Sequence, residues 1–152
     1  MEEKQVRDRL GSLSLPLWET LPDFGLYMDQ LVTYVERCFA ADEAFVLTPA
    51  MINNYVKAGL IDRPTGKKYA RESLAQLLMA CHLKQTSSVE TMKKLLHPGS
   101  DTTTEKVYRA FAQAQGRIRE ALSALPADAL SCALESAMCQ TMCRLLLEKE
   151  SA

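Results

Sequence analysis

No run of apolar residues in the 152-residue sequence approaches the ~18 needed to cross a bilayer as a helix, so no membrane span is expected. Histidine is nearly absent. His82 and His97 are the whole supply, and neither lies near a Ser or Cys motif that would make a nucleophilic pair. The G-x-S-x-G elbow, the P-loop, the dinucleotide fingerprint, H-E-x-x-H and paired-carboxylate motifs are all missing. The chain is therefore expected to be no enzyme, with no catalytic residue, cofactor or metal. An excess of charge of one sign is lacking too: 18 Lys plus Arg against 19 Asp plus Glu give a formal net charge of −1, which excludes a global attraction for polyanions. The start, MEEKQVRDRL, is charged and has no apolar leader core, and five cysteines is an odd number. Both argue against a secreted disulfide scaffold and for a cytoplasmic protein.

What the sequence does have is a 47 % hydrophobic composition, enough for a real core, and an uneven spread of charge. Residues 48–97 hold eight basic residues against three acidic, a net +5, whereas 1–47 sum to −5 and 98–152 to −1. The basic segment is also the most patterned. Thr48-Pro49 supplies an N-cap and a first-turn proline, Ile52, Tyr55 and Val56 share one helical face, and Gly59 ends the helix. Asn53, Asn54 and Lys57 are left on the outward side, where amides and an ammonium can address base edges and phosphates. Next, Arg63-Pro64-Thr65-Gly66-Lys67-Lys68-Tyr69 has the composition of a tight turn or small hairpin tip carrying two lysines. Leu74, Leu77, Leu78 and Cys81 form a further helical stripe. Ser87 with Glu90 reads as a capping box ahead of Val89, Met92, Leu95 and Leu96, and Pro98-Gly99 stops that helix.

This order, a helix ending in GLI, a basic turn, Tyr69, leucines five and eight residues beyond it, then SSVETMKKLL, resembles the MerR-type winged helix. PLWETLPDFGLYMDQLVTYVERC, followed by LTPAMINNYVKAGLI and KKYARESL, resembles the YkrK-like family of bacterial proteins, a domain of unknown function, over roughly residues 15–97. The MerR likeness implies a transcriptional regulator that binds duplex DNA. The candidate contact set is Thr48, Asn53, Asn54, Lys57, Arg63, Lys67, Lys68, Tyr69 and Arg71. Ile52, Tyr55, Lys57, Gly59 and Leu60 match that pattern. Asn53 and Asn54 depart from its usual Arg and aromatic residue, and the connection Ala40–Leu47 exceeds a tight turn of ~3–4 residues. These departures keep open an alternative, a helical protein-interaction module that has lost DNA binding. A further alternative is that the lysines and arginines form only a solvated surface.

Ahead of this segment, residues 1–10 read as a weakly helical charged tail and LSLPLWETLPDFG as a proline-punctuated arm anchored by Leu15, Leu17, Trp18 and Leu21. Met28, Leu31, Val32, Val35, Cys38 and Phe39 make one face of a supporting helix. Behind it, Thr102 with Glu105 reads as a capping box. Val107, Phe111, Ala114, Ile118, Ala121 and Leu125 then follow at steps of four and three, close to a coiled-coil seam. Leu125-Pro126-Ala127-Asp128 breaks the chain before a last helix running to about Lys149.

That last helix is apolar almost all round. Leu130, Leu134, Met138, Met142 and Leu145 form one stripe, with Cys132, Cys139, Cys143, Leu146 and Leu147 on much of the rest. Such a helix needs more than one covering surface, so a homodimer through residues 103–149 is expected, and MerR-type regulators also pair through C-terminal helices. The three cysteines share a face that could present thiolates to a soft metal or oxidant. The spacing is not a zinc pattern, and free cysteines commonly act as small buried hydrophobes, which is the reading preferred here. The expected architecture is all-α with about six helices: an N-terminal arm (1–25), a MerR-like winged helix-turn-helix with a small β wing (26–97), and a C-terminal helical hairpin (98–152).

Overall fold

The computed structural model describes residues 1–125 and 128–152, and the described residues are helical with no named strand. Seven α-helices follow in order: α1 Glu3–Ser12, α2 Met28–Cys38, α3 Pro49–Lys57, α4 Arg71–Leu83, α5 Val89–Leu96, α6 Thr104–Leu122 and α7 Ala129–Ser151, with a 3₁₀ turn at Trp18–Thr20 between α1 and α2. The expected all-α class is what is found. The N-terminal tail is the additional helix, and the expected break at Pro126-Ala127 lies outside the described residues.

The core is organised around α4, which packs against α2, α5 and α6. Every residue from Ser73 to Cys81 is buried. The sequence stripe Leu74, Leu77, Leu78 and Cys81 marks only one side of it; Ala75, Met79 and Ala80 complete the circumference because small or flexible side chains let neighbouring helices approach closely. Two polar residues are buried on the same helix. The Gln76 carboxamide accepts from the Asp62 N–H at 2.8 Å and donates to Thr104 Oγ1 at 3.2 Å, while Ser73 Oγ donates to the Asp62 carbonyl at 3.0 Å. These bonds tie the segment after α3 to α4 and to the first turn of α6.

The helix starts follow local chemistry with two one-residue shifts. Thr48 caps α3 as expected, its hydroxyl accepting from the Met51 N–H at 3.2 Å with Pro49 as first helical residue. The caps of α5 and α6 are Ser88 and Thr103 rather than Ser87 and Thr102. Adjacent hydroxyl residues offer equivalent caps, and packing selects between them: these starts place Met92 and Leu96, and Tyr108, in the core.

The C-terminal third departs from a helical hairpin. α6 turns its inner face to α4, with Tyr108 in the common core and Val107 and Phe111 packed against it. Tyr108 donates its hydroxyl to the Pro16 carbonyl at 2.6 Å and lies 5.7 Å from the Trp18 ring, so the arm is fastened to α6, and burial pushes the phenol pKa well up. α7 has no buried residue. Of the seam expected on α6, Val107 and Phe111 pack against the core, while Ile118 and Ala121 are exposed.

Candidate nucleic-acid interface

α3 is amphipathic in the expected sense: Ile52 and Tyr55 are buried, and Asn53, Asn54 and Lys57 are exposed. Its carboxyl end is closed by Gly59 at φ +77, a conformation that favours glycine. The reversal sends Leu60 and Ile61 straight into the core. His97, beyond α5, donates Nε2–H to the Leu60 carbonyl at 2.8 Å and holds this reversal in place.

The basic turn is built from backbone pairing. Thr65 and Lys68 exchange N–H···O bonds of 2.9 and 3.2 Å around Gly66, whose φ is +63, and Leu26 and Tyr69 exchange bonds of 2.8 and 2.9 Å. Both are isolated antiparallel bridges. The turn therefore has hairpin chemistry without the strand length of a β wing. A Cβ on Gly25 would sit 2.6 Å from Lys68 Cβ, so only glycine lets the arm pass this close to the turn.

Thr48, the cap of α3, stands apart, and the other eight candidate residues fall into three groups. Lys67 lies with Pro49, Pro64, Gly66, Tyr27 and Asp29 around an open groove of about 520 Å³, which brings the first turn of α3 beside the basic turn. Asn53 and Lys57 follow Pro49 at successive four-residue steps and so continue the groove-bordering line along α3; Asn54 lies to its side, and Arg63 is exposed. Lys57, Arg63, Lys67 and Lys68 form no ion pair among the described residues. Lys68 and Arg71 are instead held against aromatic rings, Lys68 Nζ 5.4 Å from the Tyr27 centroid and the Arg71 guanidinium 5.6 Å from that of Trp18. Tyr69 is mostly buried: the bridge to Leu26 sets its side chain in the core cluster, and its remaining surface borders the same groove as Lys67.

In the single chain Cys132 and Cys139 are exposed and Cys143 is half-buried. Cys81 is the enclosed thiol, pushed up to about 12 by burial. His82 is tilted against Phe39 and Phe111 at ring distances of 4.7 and 5.9 Å, and burial lowers its pKa to about 4. Above pH ~6.5 the ring is neutral in both folded and unfolded chains. As the pH falls from there, the unfolded chain takes a proton that the folded chain refuses. Stability should fall by up to about 3 kcal/mol between pH ~6.5 and 4 and lose no more from this source below that. Urea unfolding of the wild type and His82→Leu across this range checks it: the difference between the two should carry the slope, and parallel curves would refute the assignment.

A family model described as a domain of unknown function (DUF1836) matches residues 16–113, so the chain belongs to that family. The match takes in the arm, the core, the candidate interface and the inner half of α6. Comparisons with curated proteins and with solved structures found no match.

Proposed function

We propose that this member of the DUF1836 family is a transcriptional regulator that binds duplex DNA through α3 and the basic turn, in the manner of the MerR-type winged helix. The observation that carries the reading is the meeting of the first turn of α3 with the Thr65–Lys68 turn around one groove, with Asn53, Asn54 and Lys57 exposed along the same helix. In this reading α3 enters the major groove and its amides address base edges. Lys67 and Lys68, with Arg63, grip phosphates as a minimal wing. Asp29, on the groove wall, sets the limit of favourable phosphate approach.

The test is duplex binding as a function of salt, first on random sequence and then on a site selected from a randomised pool. Binding should weaken as salt rises, by roughly 0.9 log units per log unit of salt for each phosphate contact. Lys67→Ala with Lys68→Ala should weaken binding to every sequence alike and flatten the salt slope by about two. Asn53→Ala or Asn54→Ala should cost ~1–3 kcal/mol mainly on the selected site. Absence of duplex retention at low salt would leave the protein-interaction module as the function.

That second reading has its own observation. α7 presents Leu130, Leu134, Met138 and Met142 to solvent, each more than half exposed, a surface that fits a protein partner. The two readings join if the partner is a second copy: a homodimer through α7 would set two α3 helices on one face, about one DNA turn or a multiple of it apart.

A further inference from the structure

α1 is attached to the rest of the chain in an unusual way. None of its residues is buried, and it is clasped onto α6 by side chains reaching backbone carbonyls. Arg7 donates to the carbonyls of Leu122, Ser123 and Leu125 at 3.2, 2.9 and 2.9 Å. From the other side, Arg119 Nη1 donates to the Gly11 carbonyl at 2.6 Å and the Gln115 amide to that of Leu13. Between α1, the end of α4 and α6 these contacts border a half-open pocket of about 310 Å³, at the lower end of the range of small-molecule sites, about 300–1,000 Å³.

The walls are apolar, formed by Leu10, Leu13, Leu83, Phe111, Ile118 and Leu122, and three polar side chains, His82, Gln115 and Arg119, share them. Gln115 is occupied by its bond to Leu13. Arg119 is only partly occupied: Nη1 is bonded to Gly11, but Nε is buried without a hydrogen-bond partner, and no carboxylate pairs with its guanidinium among the described residues. A buried N–H donor such as this Nε is normally matched by an acceptor, and for a guanidinium the fitting acceptor is a planar carboxylate. The neutral His82, flanked by Phe39 and Phe111, adds no competing charge.

We propose that the cavity beneath α1 is a binding site for a small apolar carboxylate, its tail among the leucines, Phe111 and Ile118 and its carboxylate on Arg119. Nothing in this site is shared with α3 or the basic turn, so it stands or falls independently of DNA binding. α1 forms one wall of the pocket through Leu10.

Calorimetric titration of the full chain with octanoate and benzoate, against 1-octanol and benzyl alcohol, tests the proposal. The carboxylates should bind saturably at one site with a Kd on the order of 0.1–1 mM, and the alcohols at least about tenfold more weakly. Amide resonance shifts should centre on Leu83, Phe111 and Ile118. Arg119→Gln should bring carboxylate affinity down to that of the alcohols, and Ala114→Phe, which fills the cavity from α6, should weaken both. No saturable binding, equal binding of acid and alcohol, shifts centred elsewhere, or an Arg119→Gln protein that keeps its carboxylate affinity would each overturn it. The acid-to-alcohol contrast is measured on the unmodified chain and decides the matter even if a variant fails to fold.

Discussion

Leu78→Ala should destabilise the protein by ~3–5 kcal/mol, a large part of the ~5–15 kcal/mol typical of a whole domain. Leu78 has no exposed surface and sits in the middle of α4, between neighbours that are themselves enclosed. Shortening it removes apolar contacts and leaves a cavity that the helix cannot collapse, because α2, α5 and α6 hold α4 from different sides. Urea unfolding followed by far-ultraviolet circular dichroism measures the loss. A change below about 1 kcal/mol would mean that the site relaxes and that α4 is not the rigid centre described above. The same substitution on the solvent side of α3 or on α7 should have far less effect, since surface positions usually change stability by about 0.5 kcal/mol or less.

On the proposed DNA-binding dimer joined through α7, Met138→Lys combined with Met142→Lys should abolish self-association and weaken binding to a selected DNA site about 10²–10⁴-fold, while leaving the fold intact. Both methionines are well exposed in the single chain, at 65 % and 63 %, so two lysines there disturb no internal packing. In a dimer joined by α7 they would bury charges without partners. Each half-site would then be engaged alone and the avidity of linked binding lost. Sedimentation of wild type and variant gives the oligomeric state, and unfolding curves show whether the fold survives. A wild-type monomer at micromolar concentration would falsify the dimer, as would a variant that associates as the wild type does.

Much of the candidate interface is legible in the sequence because it rests on local rules. Thr48-Pro49 and Gly59 delimit α3 through capping and backbone freedom, and the buried and exposed sides follow from the spacing of Ile52, Tyr55, Asn53 and Lys57. Gly66 between two residues able to pair marks the turn. Tyr69 could not be assigned this way. Whether an aromatic beside a turn faces solvent or core depends on which segment pairs with it, and its partner, Leu26, is 43 residues earlier in the chain. The cavity at Arg119 escaped for the same reason. Its walls come from α1, α4 and α6, and a guanidinium Nε left without a partner has no sequence signature.

The comparison of α4 with α7 shows where local pattern stops. Both are rich in apolar residues on more than one side, and the all-round apolar character of α7 suggested burial. In the chain it is α4 whose central residues are all buried, and α7 has none. Periodicity states how much apolar surface a helix carries, and it leaves open which other surface covers it. By itself the sequence determined the helical class, the capped starts of α3, α5 and α6 to within a residue, and the basic character of residues 48–97, because capping, glycine conformation and charge act between near neighbours. Only the tertiary structure decided that α4 is the centre, that α6 packs on it rather than on α7, and that Tyr69 turns inward. Burial is settled by contacts between segments far apart in the chain, and those contacts compete for the same apolar surfaces.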